Sequence, residues 1–345
     1  SVTVSADGKH VYVAGRADDA LAVFSRNSST GALTYVEMQK DGVNGVDGLN
    51  DVRSVTVSPD GNRVYAAGSW DNAVAVFYRN VLTGTLTYVE MQKDGVNGVD
   101  GLNDAHSVTV SADGKHVYVA GRADNAVAVF SRNSSTGALT YVEMQNDGLN
   151  GVDGLGNAIH VTVSPDGKHV YAAGYHDAAV AVFSRNVLTG ALTYVEMQKD
   201  GVNGVDGLNG AYSVAVSPDG NHVYTASLVD DALAVFSRNS STGALTYVEM
   251  QKDGVNGVDG LNDAFSVTVS PDGKHVYAAA VNDNAVAVFY RNSLTGALTY
   301  VEMQKDGVGG VDGLNGAYSV AVSPDGKHVY ATGHRENAVA VFSRD

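Results

Sequence analysis

"HVTVSPDGKHVYAAGYHDAAVAVFSRNVLTGALTYVEMQ", residues 160–198, holds four short runs of strand-forming residues separated by turn residues. The runs are "HVTVS" (160–164), "HVYAAG" (169–174), "AAVAVFSRN" (178–186) and "ALTYVEMQ" (191–198). β-Branched and aromatic residues favour strands, and Pro-Asp-Gly and Thr-Gly supply the turns between them. The second and third runs are apolar nearly throughout, as strands buried on both faces would be. The first is rich in Ser, Thr, Val and Ala, which suits a crowded innermost strand. No stretch has the pattern of a helix of useful length.

The same unit opens at Ser1, Ser54, Ser107, His160, Ser213, Ser266 and Ser319, always 53 residues apart. Six full copies are followed by the first half of a seventh. A period of this size signals a solenoid or a propeller. Four antiparallel strands, here called a to d, make a blade, and blades arranged around an axis make a β-propeller. Open β-solenoids use shorter coils. The expectation is an all-β, seven-bladed propeller forming a single domain over residues 1–345. The last blade lacks its outer strand.

The pattern "VSPDGKHVYAAG", "NAVAVFSRN" and "TGALTYVE" resembles the YVTN and lactonase-like seven-bladed propellers, blade by blade along the whole chain. That group contains 6-phosphogluconolactonase-like enzymes, surface-layer proteins and secreted propellers. The resemblance implies the fold and an extracellular or cell-surface location. It makes a lactone hydrolase the enzymatic alternative, without assigning catalytic roles to particular residues.

Seven blades of four strands need 28 strands, and the sequence supplies 27. The run "AVAVFSRD" (338–345) is expected to be an open edge, a place for another strand to pair. Either a longer native polypeptide supplies that strand, or a partner or second copy donates it and makes a homo-oligomer.

Composition narrows the partners. The net charge of −16 argues against nucleic acid or an anionic membrane, which need a basic footprint. No apolar run reaches the length of a membrane span. The absence of Cys excludes disulfides and thiolate metal sites. Asn27-Ser-Ser, Asn133-Ser-Ser and Asn239-Ser-Ser match the glycosylation sequon.

The copies diverge mainly on one face, where the d–a and b–c connections lie. The b–c tips read Arg16-Ala17, Ser69-Trp70, Arg122-Ala123, Tyr175-His176, Leu228-Val229, Val281-Asn282 and His334-Arg335. The position just before strand a reads Arg53, His106, Ile159, Tyr212, Phe265 and Tyr318, and strand a of blade four opens on His160. The c–d tips on the opposite face vary far less. Divergent loops on a rigid scaffold mark a binding face, and Trp, Tyr and Arg dominate such faces. Cationic residues gather in blades one to three and seven, and aromatic or apolar ones in blades five and six. The expectation is a non-enzymatic propeller that binds a glycan, a peptide or a small anionic or aromatic molecule, or a protein, around the channel mouth. The alternatives are a structural or self-assembling module using the open edge, and a lactonase-like hydrolase. A Zn²⁺ site built from His106, His160, His176 and Asp177 is a further candidate, without metal-ligand spacing to support it.

Each d–a linker has a triplet rhythm, "DGVNGVDGLND" in 41–51 and 94–104. Asp41, Asn44 and Asp47, with Asp94, Asn97 and Asp100, offer the oxygen ligands that Ca²⁺ takes. The same residues also form turns by bonding their own backbone. The Asp of the b–c loop, such as Asp71 or Asp124, reads as a turn-forming group.

Overall fold

The computed structural model describes residues 1–344. Among them are 27 strands and no helix. They form six four-stranded sheets and a final three-stranded one, each an antiparallel meander in chain order. This is the seven-bladed propeller, with the last blade one strand short.

The blade pattern follows the sequence. In blade four, strand b (His169–Gly174) is buried throughout and strand c (Ala179–Arg185) nearly so, whereas strand d (Leu192–Lys199) is half exposed. Each interface between successive blades is filled by strand residues of both and by the linker that joins them. Val46 and Leu49 of the first linker, for example, pack with Leu21, Val23, Val64 and Phe77.

Two polar devices tie blade to blade. Near the axis, the backbone N–H of Val108 donates to Ser54 Oγ of the preceding blade at 3.2 Å, and Val161 and Val267 do the same to Ser107 and Ser213. At the face of the a–b turns, an arginine closes each seam, buried at six of the seven. The Arg79 guanidinium donates to Tyr12 Oη at 2.6 Å, to the Gly61 carbonyl at 2.8 Å, to both Asp7 carboxylate oxygens, and to His10 Nδ1 at 2.7 Å. Arg185 and Arg238 repeat the set with His116 and His169. The recurrent strand-b histidines therefore belong to structural clasps.

The ring closes between blades seven and one by the same means. Val2 N–H donates to Ser319 Oγ, Arg26 grips Asp325 at 2.9 Å, and Tyr330 Oη donates to the Gly31 carbonyl.

One boundary differs from the sequence reading. Strand a begins two residues earlier than expected, as in Val52–Val57 and Ala211–Val216. Its pairing with strand b shifts register between Val52 and Ser54, and between Ala211 and Ser213. Arg53, Tyr212 and their equivalents are thus extra residues inside a β-bulge, not residues before the strand. A bulge re-aims one side chain while the ladder continues on both sides.

Candidate functional site

The bulge side chains converge on the propeller axis. Tyr212 of blade five meets His106 of blade three, with ring centroids 5.8 Å apart, and hydrogen-bonds Tyr318 of blade seven, Oη to Oη at 2.7 Å. These blades are not neighbours, so the contacts cross the channel. Phe265 stacks between Tyr212 and Tyr318 at 4.4 and 4.8 Å. The result is an aromatic wall beside a cavity of about 900 Å³.

The cationic side is held by carboxylates from the linker. Arg16 Nε bonds Asp51 Oδ1 at 2.5 Å, and Arg53 bonds the other oxygen at 2.8 Å through Nε. Two guanidinium groups thus share one buried carboxylate and leave a net positive charge. Arg122 Nε donates to Asn157 Oδ1 at 2.9 Å, and its Nη1 lies 3.3 Å from Asp104. Side chains of Arg16 and Arg122 stay 55% and 41% exposed, so each can still meet a ligand.

His106 joins the two sides. Its Nδ1 lies 3.1 Å from the Ile159 carbonyl, which can only accept, so Nδ1 carries the proton. That leaves Nε2 as the basic nitrogen, 3.4 Å from Tyr212 Oη. Burial, then the charges of Arg53 and Arg122, hold its pKa well below the ordinary histidine value. His106 is therefore neutral at pH 7. Burial and the neighbouring Tyr318 push the Tyr212 phenol well above its usual value, so it remains a donor.

Ten of the thirteen residues expected at the mouth line this cavity: Arg16, Arg53, Trp70, His106, Arg122, Tyr175, Tyr212, Phe265, Tyr318 and His334. His160, His176 and Arg335 are not in its lining. His160 stands in the inner serine ring, and its Nδ1 accepts the Val214 N–H at 3.4 Å, as a serine does elsewhere. His176 is exposed at its loop tip, packed beside Tyr175. Asp51 and Asn157 were missed by the sequence reading, although their position reads Asp, Asp, Asn, Gly, Asp and Gly from copy to copy, because nothing local shows that it meets the arginines of the mouth.

The linker carboxylates also come together. Oxygens of Asp41, Asp47 and Asp71 lie within 4.8 Å of one another, as do those of Asp94, Asp100 and Asp124. The third member comes from the next blade's b–c loop, not from Asn44 or Asn97. Those two take φ of +54° and +53° and shape the turn. These triads are the residues that could hold a hard cation. Each carboxylate also accepts a backbone N–H, Asp41 from Leu49 and Asp71 from Asn50, both at 2.9 Å.

The family described as "Lactonase, 7-bladed beta-propeller" matches residues 1–99, 52–198, 159–311 and 269–345. The chain belongs to the seven-bladed β-propeller lactonase family. A 6-phosphogluconolactonase of Klebsiella pneumoniae (strain 342) is 25% identical over 262 residues, covering 75% of this chain and 71% of that protein. The periplasmic gluconolactonase of Pseudomonas aeruginosa superposes with a TM-score of 0.70 at 20% identity, over 89% of this chain and 85% of that one. The hydrazine synthase of Kuenenia stuttgartiensis superposes at 0.72 with 19% identity, over 99% and 94%. At such identities the structural likenesses carry the fold alone. Family membership and the named relatives overturn the expectation of a non-enzymatic binding propeller. They favour the alternative, a lactonase-like hydrolase.

Proposed function

We propose that this lactonase-family propeller hydrolyses a polyhydroxylated sugar lactone carrying an anionic group, at the mouth of its channel. One observation carries the reading. A neutral His106, with its unprotonated Nε2 beside Tyr212 and two arginines nearby, lines the cavity. A general base must be deprotonated at working pH and within reach of the water it activates.

In this reading, His106 Nε2 takes a proton from a water molecule. The water oxygen bonds the lactone carbonyl carbon, and the carbonyl becomes an oxyanion. Arg53 and Arg122 stabilise that charge electrostatically, which in a partly dry site is a large contribution. The ring C–O bond then breaks, and the ring oxygen takes the proton back from His106. The product is the open hydroxy acid, with one proton released to solvent. In the same reading Arg16 binds the anionic substituent, and the Tyr212, Phe265 and Tyr318 rings pack against the sugar. The name of the Klebsiella relative supports a phosphorylated gluconolactone as the substrate class.

The test is acid release from gluconolactone and 6-phosphogluconolactone, measured against their spontaneous opening. The expected result is acceleration of both, with a lower KM for the phosphorylated compound. Arg16→Ala should remove most of that KM preference while changing kcat little. A rate no faster than spontaneous opening would overturn the proposal.

A further inference from the structure

We propose that the face of the a–b and c–d turns seats this propeller on an anionic phospholipid surface, with the channel mouth turned away from it. The net charge of −16 conceals this face, because it sums surfaces of opposite sign.

The a–b turns carry Lys9, Lys115, Lys168, Lys274 and Lys327, all exposed. The carboxylate two residues before each lysine is already taken by a clasp arginine, as Asp7 is by Arg79 and Asp113 by Arg185, both at 3.0 Å. The same holds beside the other three lysines. The five ammonium groups are therefore left without a counter-charge among the described residues. The acidic groups lie elsewhere, and linker triads such as Asp41, Asp47 and Asp71 stand on the mouth face. Strand b (His10–Gly15) spans the distance between the two faces, roughly 20 Å. Charges that far away are screened at physiological ionic strength, where the Debye length is about 8 Å.

The c–d tips of the same face add apolar knobs. Leu82, Leu188 and Leu294 are 81%, 80% and 89% exposed. Each is held out by its own turn. Asn80 Oδ1 accepts the N–H of Leu82 at 3.0 Å and that of Thr83 at 3.3 Å, and Asn186 and Asn292 hold the other two tips in the same way. Basic and apolar groups are neighbours. The Leu82 turn packs through Gly84 on His10, next to Lys9, and the Leu188 turn packs through Gly190 on His116, next to Lys115.

The three leucines sit on alternate blades, and the tips between them present serines such as Ser134 and Ser135. They form no continuous apolar patch of the kind a protein interface buries at its centre. A lipid surface accepts separated apolar side chains, while basic residues draw a protein to anionic headgroups. Charge complementarity and the spacing of the knobs together select an anionic bilayer as the occupant. This orientation leaves the mouth and its cavity open to solvent.

The test is co-sedimentation of the protein with vesicles of phosphatidylcholine mixed with phosphatidylglycerol, beside vesicles of phosphatidylcholine alone. Binding to the mixed vesicles is expected, with binding to the neutral ones weaker by about tenfold or more. The double variant Lys9→Gln, Lys115→Gln should bind the mixed vesicles about tenfold more weakly. Leu82→Ser, Leu188→Ser and Leu294→Ser combined should also weaken binding by about tenfold or more. Its melting temperature should not change, because blades one, three and five already carry Ser at that position. Trp70, the only Trp of the chain, is 70% exposed on the mouth face, so its emission should not shift on binding. No binding, equal binding to neutral vesicles, a shift in Trp70 emission, or undiminished binding by the leucine variant would overturn the proposal.

Discussion

Gly84 lies at φ +79° in a c–d turn, and the His10 ring of the preceding blade packs against it. A Cβ there would overlap the imidazole. Both backbone and space therefore demand glycine, and the contact links a turn to a clasp. Because arginine can only donate, the Arg79 contact requires His10 Nδ1 to be unprotonated. Gly84→Ala is expected to destabilise the protein by about 1–3 kcal/mol, read as a lower urea midpoint. An unchanged midpoint would show that the turn relaxes without cost. The mouth residues differ in kind from the clasp. They were legible because they break the repeat, whereas Arg79, Asp7, His10 and Tyr12 were hidden by recurring in nearly every copy. His160 shows the limit of that signal. It breaks the pattern, yet it does a serine's work.

At the scale of the element, each seam depends on a carboxylate, and six of the seven also on a histidine, held in fixed charge states. Burial opposes ionisation of Asp166, but hydrogen bonds from Ser164, Arg238 and the Lys168 amide bring its pKa down to about 2. Burial and Arg238 lower the pKa of His169. Stability rises with pH wherever the unfolded chain binds more protons than the folded one. As pH falls below 6.5, the unfolded histidines take up protons that the folded ones refuse, so stability declines first there. The carboxylates add a second loss as pH falls from 3.8 toward about 2. Their partial exposure screens this second stage. The melting temperature should therefore fall on acidification from about pH 7 to about pH 5, and more steeply below. A melting temperature that held or rose over that range would contradict the clasp account. The strands themselves were legible from alternation and turn residues. The bulge in strand a was not, since an extra residue in a ladder changes no local propensity. It shows only in the pairing of Val52 and Ser54 with strand b.

At the scale of the whole molecule, the ring closes through clasps and an inner serine ring, with blade seven lacking an outer strand. Hydrogen exchange should report this directly. The Val341 amide is expected to exchange faster than that of Val235, its buried equivalent in blade five. Equal protection would mean that the edge is covered. The sequence count of 27 strands anticipated that edge among the described residues. The mouth is likewise a property of the ring, because His106, Tyr212 and Tyr318 meet only when blades three, five and seven are closed around one axis. Its central residue is His106. The most direct measurement is the kcat of His106→Asn on 6-phosphogluconolactone beside the unaltered protein. The account predicts a loss of about 10²–10⁴-fold in kcat, with KM changed little. An unchanged kcat would contradict it and remove His106 from the chemistry.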